Sequence, residues 1–177
     1  NINVGVIGTG GRGQGIIKLL NSLSSFNVIA ACDTLPFRLD EGFDLIKNNK
    51  NVRSYKDYRK LLDDKNIDGV IISTPLNTHD KIAVDALDAD KHVYCEKTLA
   101  KGAAATARIV NKCKTSNKIF QTGHQYHSSR LYTQLVDMIA EGKVGKIASI
   151  EAQWNRNGNW RRSVPEPSLE RQINWRM

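Results

Sequence analysis

The stretch Ile2-Asn3-Val4-Gly5-Val6-Ile7-Gly8-Thr9-Gly10-Gly11-Arg12-Gly13 decides the fold. Its apolar, β-branched first half reads as a strand buried on both faces. That strand runs without a linker into the G-x-G-x-x-G spacing of Gly8, Gly10 and Gly13, and a helical pattern follows. Gly8 permits the tight turn, Gly10 lets the backbone approach a pyrophosphate, and Gly13 lets helix and strand pack closely. Free N–H groups and the helix dipole then attract the anion, with Thr9, Gly11 and Arg12 completing the turn. Asp33 ends a second apolar run, Asn27 to Cys32, 20 residues after Gly13. A carboxylate there accepts the ribose hydroxyls of an adenosine. The combination points to NAD, and Asp33 opposes the 2′-phosphate of NADP. Two cations stay open at this level: Arg12 either reaches the pyrophosphate or points to solvent, and Arg38 either turns toward a phosphate or is a helix-surface charge.

Outward from this stretch, short apolar runs alternate with helical patterns. Strands are expected at 2–7, 27–32, 52–54, 69–73, 92–95 and 119–122, and helices at 13–22, 37–48, 55–62, 78–89 and 103–116. Such alternation builds βαβ units, and right-handed crossovers put helices on both faces of a parallel sheet. The expected class is therefore α/β, a doubly wound Rossmann sheet over residues 1–122. From residue 123 the rhythm changes. An amphipathic segment from Ser129 to Glu141 ends at Gly142, a natural helix terminator, and 146–154 alternates as a half-solvated strand does. We read 123–177 as the truncated start of an α+β second domain. Trp160 and Trp175 in its last stretch lack periodic apolar partners.

Composition narrows the classes. The 177 residues are 40% hydrophobic and 25% charged, which suits a folded chain rather than a disordered one. The charge of +8, 26 basic minus 18 acidic, is scattered with no block of five like charges, so nucleic acid is not an expected partner. No apolar run approaches the roughly 18 residues of a membrane helix. Cys32, Cys95 and Cys113 are odd in number and lack C-x-x-C spacing, which favours buried thiols over disulfides or a metal site.

In a doubly wound sheet the chemistry sits beyond the carboxyl ends of the strands. After the fourth strand comes Ser73-Thr74-Pro75-Leu76-Asn77-Thr78-His79-Asp80. Thr74 and Pro75 are expected to face the cofactor, Asn77 or Thr78 to cap the next helix, and His79 either to pack at the helix start or to touch the cofactor. After the fifth strand stand Glu96-Lys97-Thr98. A lysine beside a nicotinamide can bond a substrate hydroxyl and polarise it for hydride removal; a surface ion pair of neighbours is the plainer alternative.

Taken together, the strand, G-x-G-x-x-G, terminal Asp33, the T-P-x-x-x-H spacing of Thr74, Pro75 and His79, and Glu96-Lys97 resemble the Gfo/Idh/MocA oxidoreductases. The resemblance spans nearly the whole chain. It implies that Val4 to Gly13 and Asp33 bind the dinucleotide, that Thr74 to His79 (Asn77 among them) line its nicotinamide side, and that Lys97 contacts substrate. It makes 121–125, with Gln125 as a further cofactor contact, the crossover between two domains. Thr98 departs from the family, which usually has proline there, so the aim of Lys97 stays open. The resemblance further implies a second domain with a large antiparallel sheet, a catalytic histidine beyond Met177, and a homo-oligomer.

The function so implied is NAD-dependent removal of hydride from a sugar or cyclitol hydroxyl carbon, with Lys97 as the catalytic candidate and a sugar-like small molecule as substrate. Two alternatives resemble other branches of the superfamily: a glycosidase that uses NAD for transient oxidation and elimination, and a non-catalytic NAD-binding regulatory subunit.

Overall fold

A computed structural model describes all residues except Asn48, Arg156, Asn159, Trp160, Arg176 and Met177. Its strands are β1 (Ile2–Ile7), β2 (Phe26–Cys32), β3 (Arg53–Tyr55), β4 (Gly69–Ile72), β5 (His92–Glu96) and β6 (Phe120–Gly123). They form one parallel sheet in the order β3-β2-β1-β4-β5-β6. The expected doubly wound α/β class is thus observed. The order reverses between β1 and β4, where Gly5 to Ile7 pair with Val70 to Ile72, and a crevice opens at such a reversal.

The helices are α1 (Gly11–Leu20), α2 (Pro36–Phe43), α3 (Tyr58–Leu62), α4 (His79–Asp88), α5 (Ala103–Thr115), α6 (Arg130–Ala140) and α7 (Glu170–Ile173). Because strand side chains alternate, β1 feeds two cores. Val4 and Val6 join Ile16, Ile17 and Leu20 of α1 and Leu39 of α2, whereas Ile7 joins Leu61, Ile82, Ala86 and Ile109 from α3, α4 and α5.

Several boundaries differ from the sequence reading for local reasons. α1 begins at Gly11 rather than Gly13, with Gly10 as its extended N-cap residue. α3 begins at Tyr58 because the Asp57 carboxylate accepts the N–H of Arg59, a capping bond that leaves Tyr55 in β3. α2 stops at Phe43, where the N–H groups of Leu45 and Ile46 turn back to Gly42 and Phe43 three residues earlier; the expected end, Asn48, lies outside the described residues.

The chain divides into two compact units, Asn1–Gln125 and Tyr126–Met177. In the second, Gly142 closes α6 with a φ of 73°, and the Lys143 N–H returns to the Met138 carbonyl, the helix stop expected from sequence. The expected strand at 146–154 is not formed. Alternation orders side chains, but a strand also needs a neighbour for its N–H and C=O groups, and among the described residues no strand pairs with this stretch. The tail holds a feature that periodicity does not reveal. Buried Asn174 accepts the Arg162 N–H at 2.6 Å and donates to the Arg162 carbonyl at 2.9 Å, fastening α7 to the preceding segment. Trp160 lies outside the described residues.

Candidate functional site

The glycine turn is built by close approach. Gly8 has a φ of 90°, and a Cβ added there would stand 2.8 Å from the Ser73 carbonyl carbon and the Thr74 nitrogen. At Gly13 an added Cβ would stand 2.0 Å from the Gly8 carbonyl oxygen. Ser73 seals the contact by donating its hydroxyl to that same oxygen at 2.6 Å. Gly10 and Gly11 differ, since an added Cβ would meet nothing within 4 Å. They open onto free space at the N-terminus of a ten-residue helix, the cradle that a pyrophosphate requires.

Thr9, by contrast, faces inward and is fully buried. Its N–H donates to Asp33 Oδ2 at 2.8 Å and its hydroxyl to the Arg38 carbonyl at 2.8 Å, while Gln14 Nε2 donates to the Thr9 carbonyl at 3.1 Å. Asp33 Oδ1 accepts the Leu35 N–H at 3.0 Å. Oδ1 thus holds one backbone donor and keeps a lone pair open, whereas Oδ2 also has the Thr9 hydroxyl 3.4 Å away. Arg38 lies over the Phe37 ring and pairs with Glu41 at 3.3 Å.

On the loop after β4, Thr74 and Pro75 are partly exposed and Asn77 is exposed. Thr78 occupies the N-cap position of α4 without capping it; its hydroxyl bonds Pro75 O and Thr74 Oγ1 instead, each at 2.8 Å. The His79 imidazole ties two loops together. It is 1% exposed, and its Nδ1 and Nε2 lie 3.0 and 2.9 Å from the carbonyl oxygens of Thr98 and Thr74. One ring therefore joins the β4 loop to the β5 loop.

At the end of β5 the side chain of Glu96 is buried while Lys97 is exposed. Glu96 Oε1 receives Arg12 at 2.5 Å and the Tyr94 hydroxyl at 3.3 Å, and Oε2 receives the Lys97 N–H at 3.2 Å. The hydrogen bond to Glu96 holds the Arg12 guanidinium above its ordinary value against the opposing effect of burial. Burial raises the Tyr94 phenol, and the Glu96 carboxylate adds to the rise. Glu96 thus pairs with Arg12, a partner that the sequence reading did not offer for either residue.

Gly123 completes this cluster. An added Cβ would lie 2.9 Å from both Glu96 Oε1 and the Tyr94 hydroxyl. Ser73, Gln14, Tyr94 and Gly123 were not among the sequence candidates. Tyr94 was within reach of sequence reasoning, because strand period two puts it on the same face as Glu96. Gln125 follows β6 as an exposed residue of a short 3-10 segment, Gln125–Ser128. Among the described residues no group of three His, Cys, Asp or Glu side chains forms a metal cluster.

This geometry defines a dinucleotide-binding α/β unit whose open glycines and carboxylate suit NAD. Residues 2–124 match the oxidoreductase family with an NAD-binding Rossmann fold, so the chain belongs to the Gfo/Idh/MocA oxidoreductase family. It is 33% identical over 147 residues to an inositol 2-dehydrogenase of Salmonella paratyphi B, covering 82% of this chain and 43% of that protein. It is 30% identical over 165 residues to a glycosyl hydrolase family 109 protein of Shewanella woodyi, covering 90% of this chain and 35% of that one. Among solved structures, the myo-inositol dehydrogenase of Lactobacillus casei in complex with NAD(H) and myo-inositol superposes with a TM-score of 0.72 at 31% identity, over 81% of this chain and 42% of that one. The chain thus spans less than half the length of each.

Proposed function

We propose that this chain supplies the cofactor-binding part of an NAD-dependent oxidoreductase that takes hydride from a hydroxyl-bearing carbon of a cyclitol or sugar. The observation that carries the reading is the convergence of the open glycine turn, Asp33 and Glu96-Lys97 on one sheet edge, in a chain that aligns with inositol dehydrogenases. When bound, nicotinamide supplies the hydride acceptor. The N–H groups around Gly10 to Gly13 hold the pyrophosphate, Asp33 accepts from the adenosine ribose, and Thr74, Pro75 and Asn77 bound the opposite side of the crevice. Lys97, its main chain held by Glu96, presents its amino group to the substrate hydroxyl and orients or accepts the proton that leaves with oxidation.

The test is Lys97→Ala in a protein carrying this chain and the remaining length of its relatives, assayed with NAD and myo-inositol or related polyols. Turnover should fall by roughly 100-fold or more while NAD affinity holds, the usual scale for an acid–base group. Undiminished turnover would remove Lys97 from the chemistry.

A second reading, an NAD-using glycosidase, draws on the longer alignment with the Shewanella protein, which covers 90% of this chain. Release of sugar from a glycoside without accumulation of NADH supports it; NADH accumulating with polyol oxidation excludes it.

A further inference from the structure

Arg12 is a cation in the first turn of α1, at the positive end of the helix dipole, where a positive side chain is disfavoured. It is compensated there by an anion from the far side of the crevice. Its guanidinium reaches Glu96, a carboxylate at the end of β5 that is separated from β1 by β4. Tyr94 and the Lys97 N–H fix the same carboxylate, and the absence of a side chain at Gly123 makes room for it. The charge of Glu96 is thereby held in one place rather than left on a mobile surface side chain.

That place is on a particular side of the cofactor. In this sheet order the adenosine half belongs with β2 and Asp33, and the nicotinamide half with β4 and β5. The two redox forms of NAD share the same pyrophosphate and adenosine; they differ by one positive charge, carried by the nicotinamide ring of the oxidised form. A fixed carboxylate on the nicotinamide side therefore attracts NAD⁺ more than NADH, and a guanidinium bonded to it cancels part of that difference.

Resting on the reading that this crevice takes NAD, we infer that Arg12 and Glu96 form a charge-compensated pair that sets the relative affinity for oxidised and reduced cofactor. Glu96 favours NAD⁺, and Arg12 restrains that preference. The two residues are specificity-determining, and their effect is on the ratio of two binding constants rather than on either alone.

The experiment titrates the 177-residue chain with NAD⁺ and with NADH by calorimetry at pH 8, well above the ordinary carboxylate range. Arg12→Gln should raise the ratio Kd(NADH)/Kd(NAD⁺) on the order of tenfold, the size of effect a unit charge exerts across about 10 Å in a partly solvated site. Glu96→Gln should lower the ratio by a similar factor, the double variant should return near the wild-type value, and Arg12→Lys should stay close to it. Arg12 is half-exposed, so its two variants keep the test readable even if Glu96→Gln is poorly folded. A purely structural role would weaken both cofactor forms together and leave the ratio unmoved; an unchanged ratio in Arg12→Gln, with binding retained, overturns the inference alone. Binding of neither form by the wild type overturns the cofactor reading and the inference with it.

Discussion

The main-chain N–H of Thr9 donates to Asp33 Oδ2 at 2.8 Å, so the glycine turn and the end of β2 hold each other in place. Asp33 therefore has a structural role, completing the turn from within, beside the ribose-binding role proposed for it.

Those two roles separate by substitution. Asp33→Ala should weaken NAD binding, narrow the preference over NADP, and destabilise the chain by about 1 to 3 kcal/mol, because the buried Thr9 N–H loses its acceptor. Asp33→Asn retains an acceptor and should keep most of the stability while still losing discrimination against the 2′-phosphate. Calorimetric affinities for NAD and NADP, with melting curves of both variants, check this; equal NAD affinity in the wild type and Asp33→Ala would remove Asp33 from the site.

Gly13→Ala and Gly11→Ala should behave oppositely. The new methyl at Gly13 meets the Gly8 carbonyl at 2.0 Å, a backbone atom that cannot step aside without moving the turn. A loss of about 2 to 3 kcal/mol with loss of NADH binding is expected. At Gly11 the methyl meets nothing within 4 Å, and no loss of stability is expected. Urea unfolding of the two variants, with NADH fluorescence titration of Gly13→Ala, decides it.

Alkali should unfold this chain earlier than a fully solvated set of thiols and phenols would allow. Burial pushes the Cys32 and Cys95 thiols from 9.0 up to about 12, with the Asp33 and Glu96 carboxylates adding to the rise. Burial and the hydrogen bond to Asp85 push the Tyr58 phenol from 10.0 to about 12. Each group holds its proton more tightly folded than unfolded. Its contribution is complete below the ordinary value and is lost as pH rises toward 12. Unfolding free energies measured from pH 8 to 11 should be level at first and fall above about pH 9, and Cys32→Ala should flatten the fall; a flat profile in the wild type would contradict the burial of these groups.

Backbone amides of 146–154 should exchange with deuterium orders of magnitude faster than those of β1 and β4, because among the described residues no ladder protects them. Protection equal to that of β1 would mean that this stretch has found a strand partner in solution.

What was legible in the sequence follows from how local each cause is. The strand–turn–helix of Ile2 to Gly13 is set by neighbours in sequence, and it was readable. So was Gly142, whose role depends only on the helix it ends. The strand expected at 146–154 failed because alternation specifies a face but not a partner. His79 and Glu96 were legible as residues to watch, yet their partners stand far off in sequence: Thr98 for one, Arg12 for the other. Gly123 went unremarked because its constraint comes from the side chains of β5 rather than from its own backbone.

The single imidazole between Thr74 and Thr98 also bears on how this crevice can be altered. The two loops look like separate modules in sequence, each free to lengthen or be exchanged for a relative's version. Through His79 they are inherited as one piece. A graft that replaces the β4 loop takes away the ring together with the Thr74 carbonyl, and a graft that replaces the β5 loop withdraws the Thr98 carbonyl. An engineer reshaping this crevice should therefore transplant 73–80 and 96–99 together, and natural lineages that changed one of these loops should carry the matching change in its counterpart.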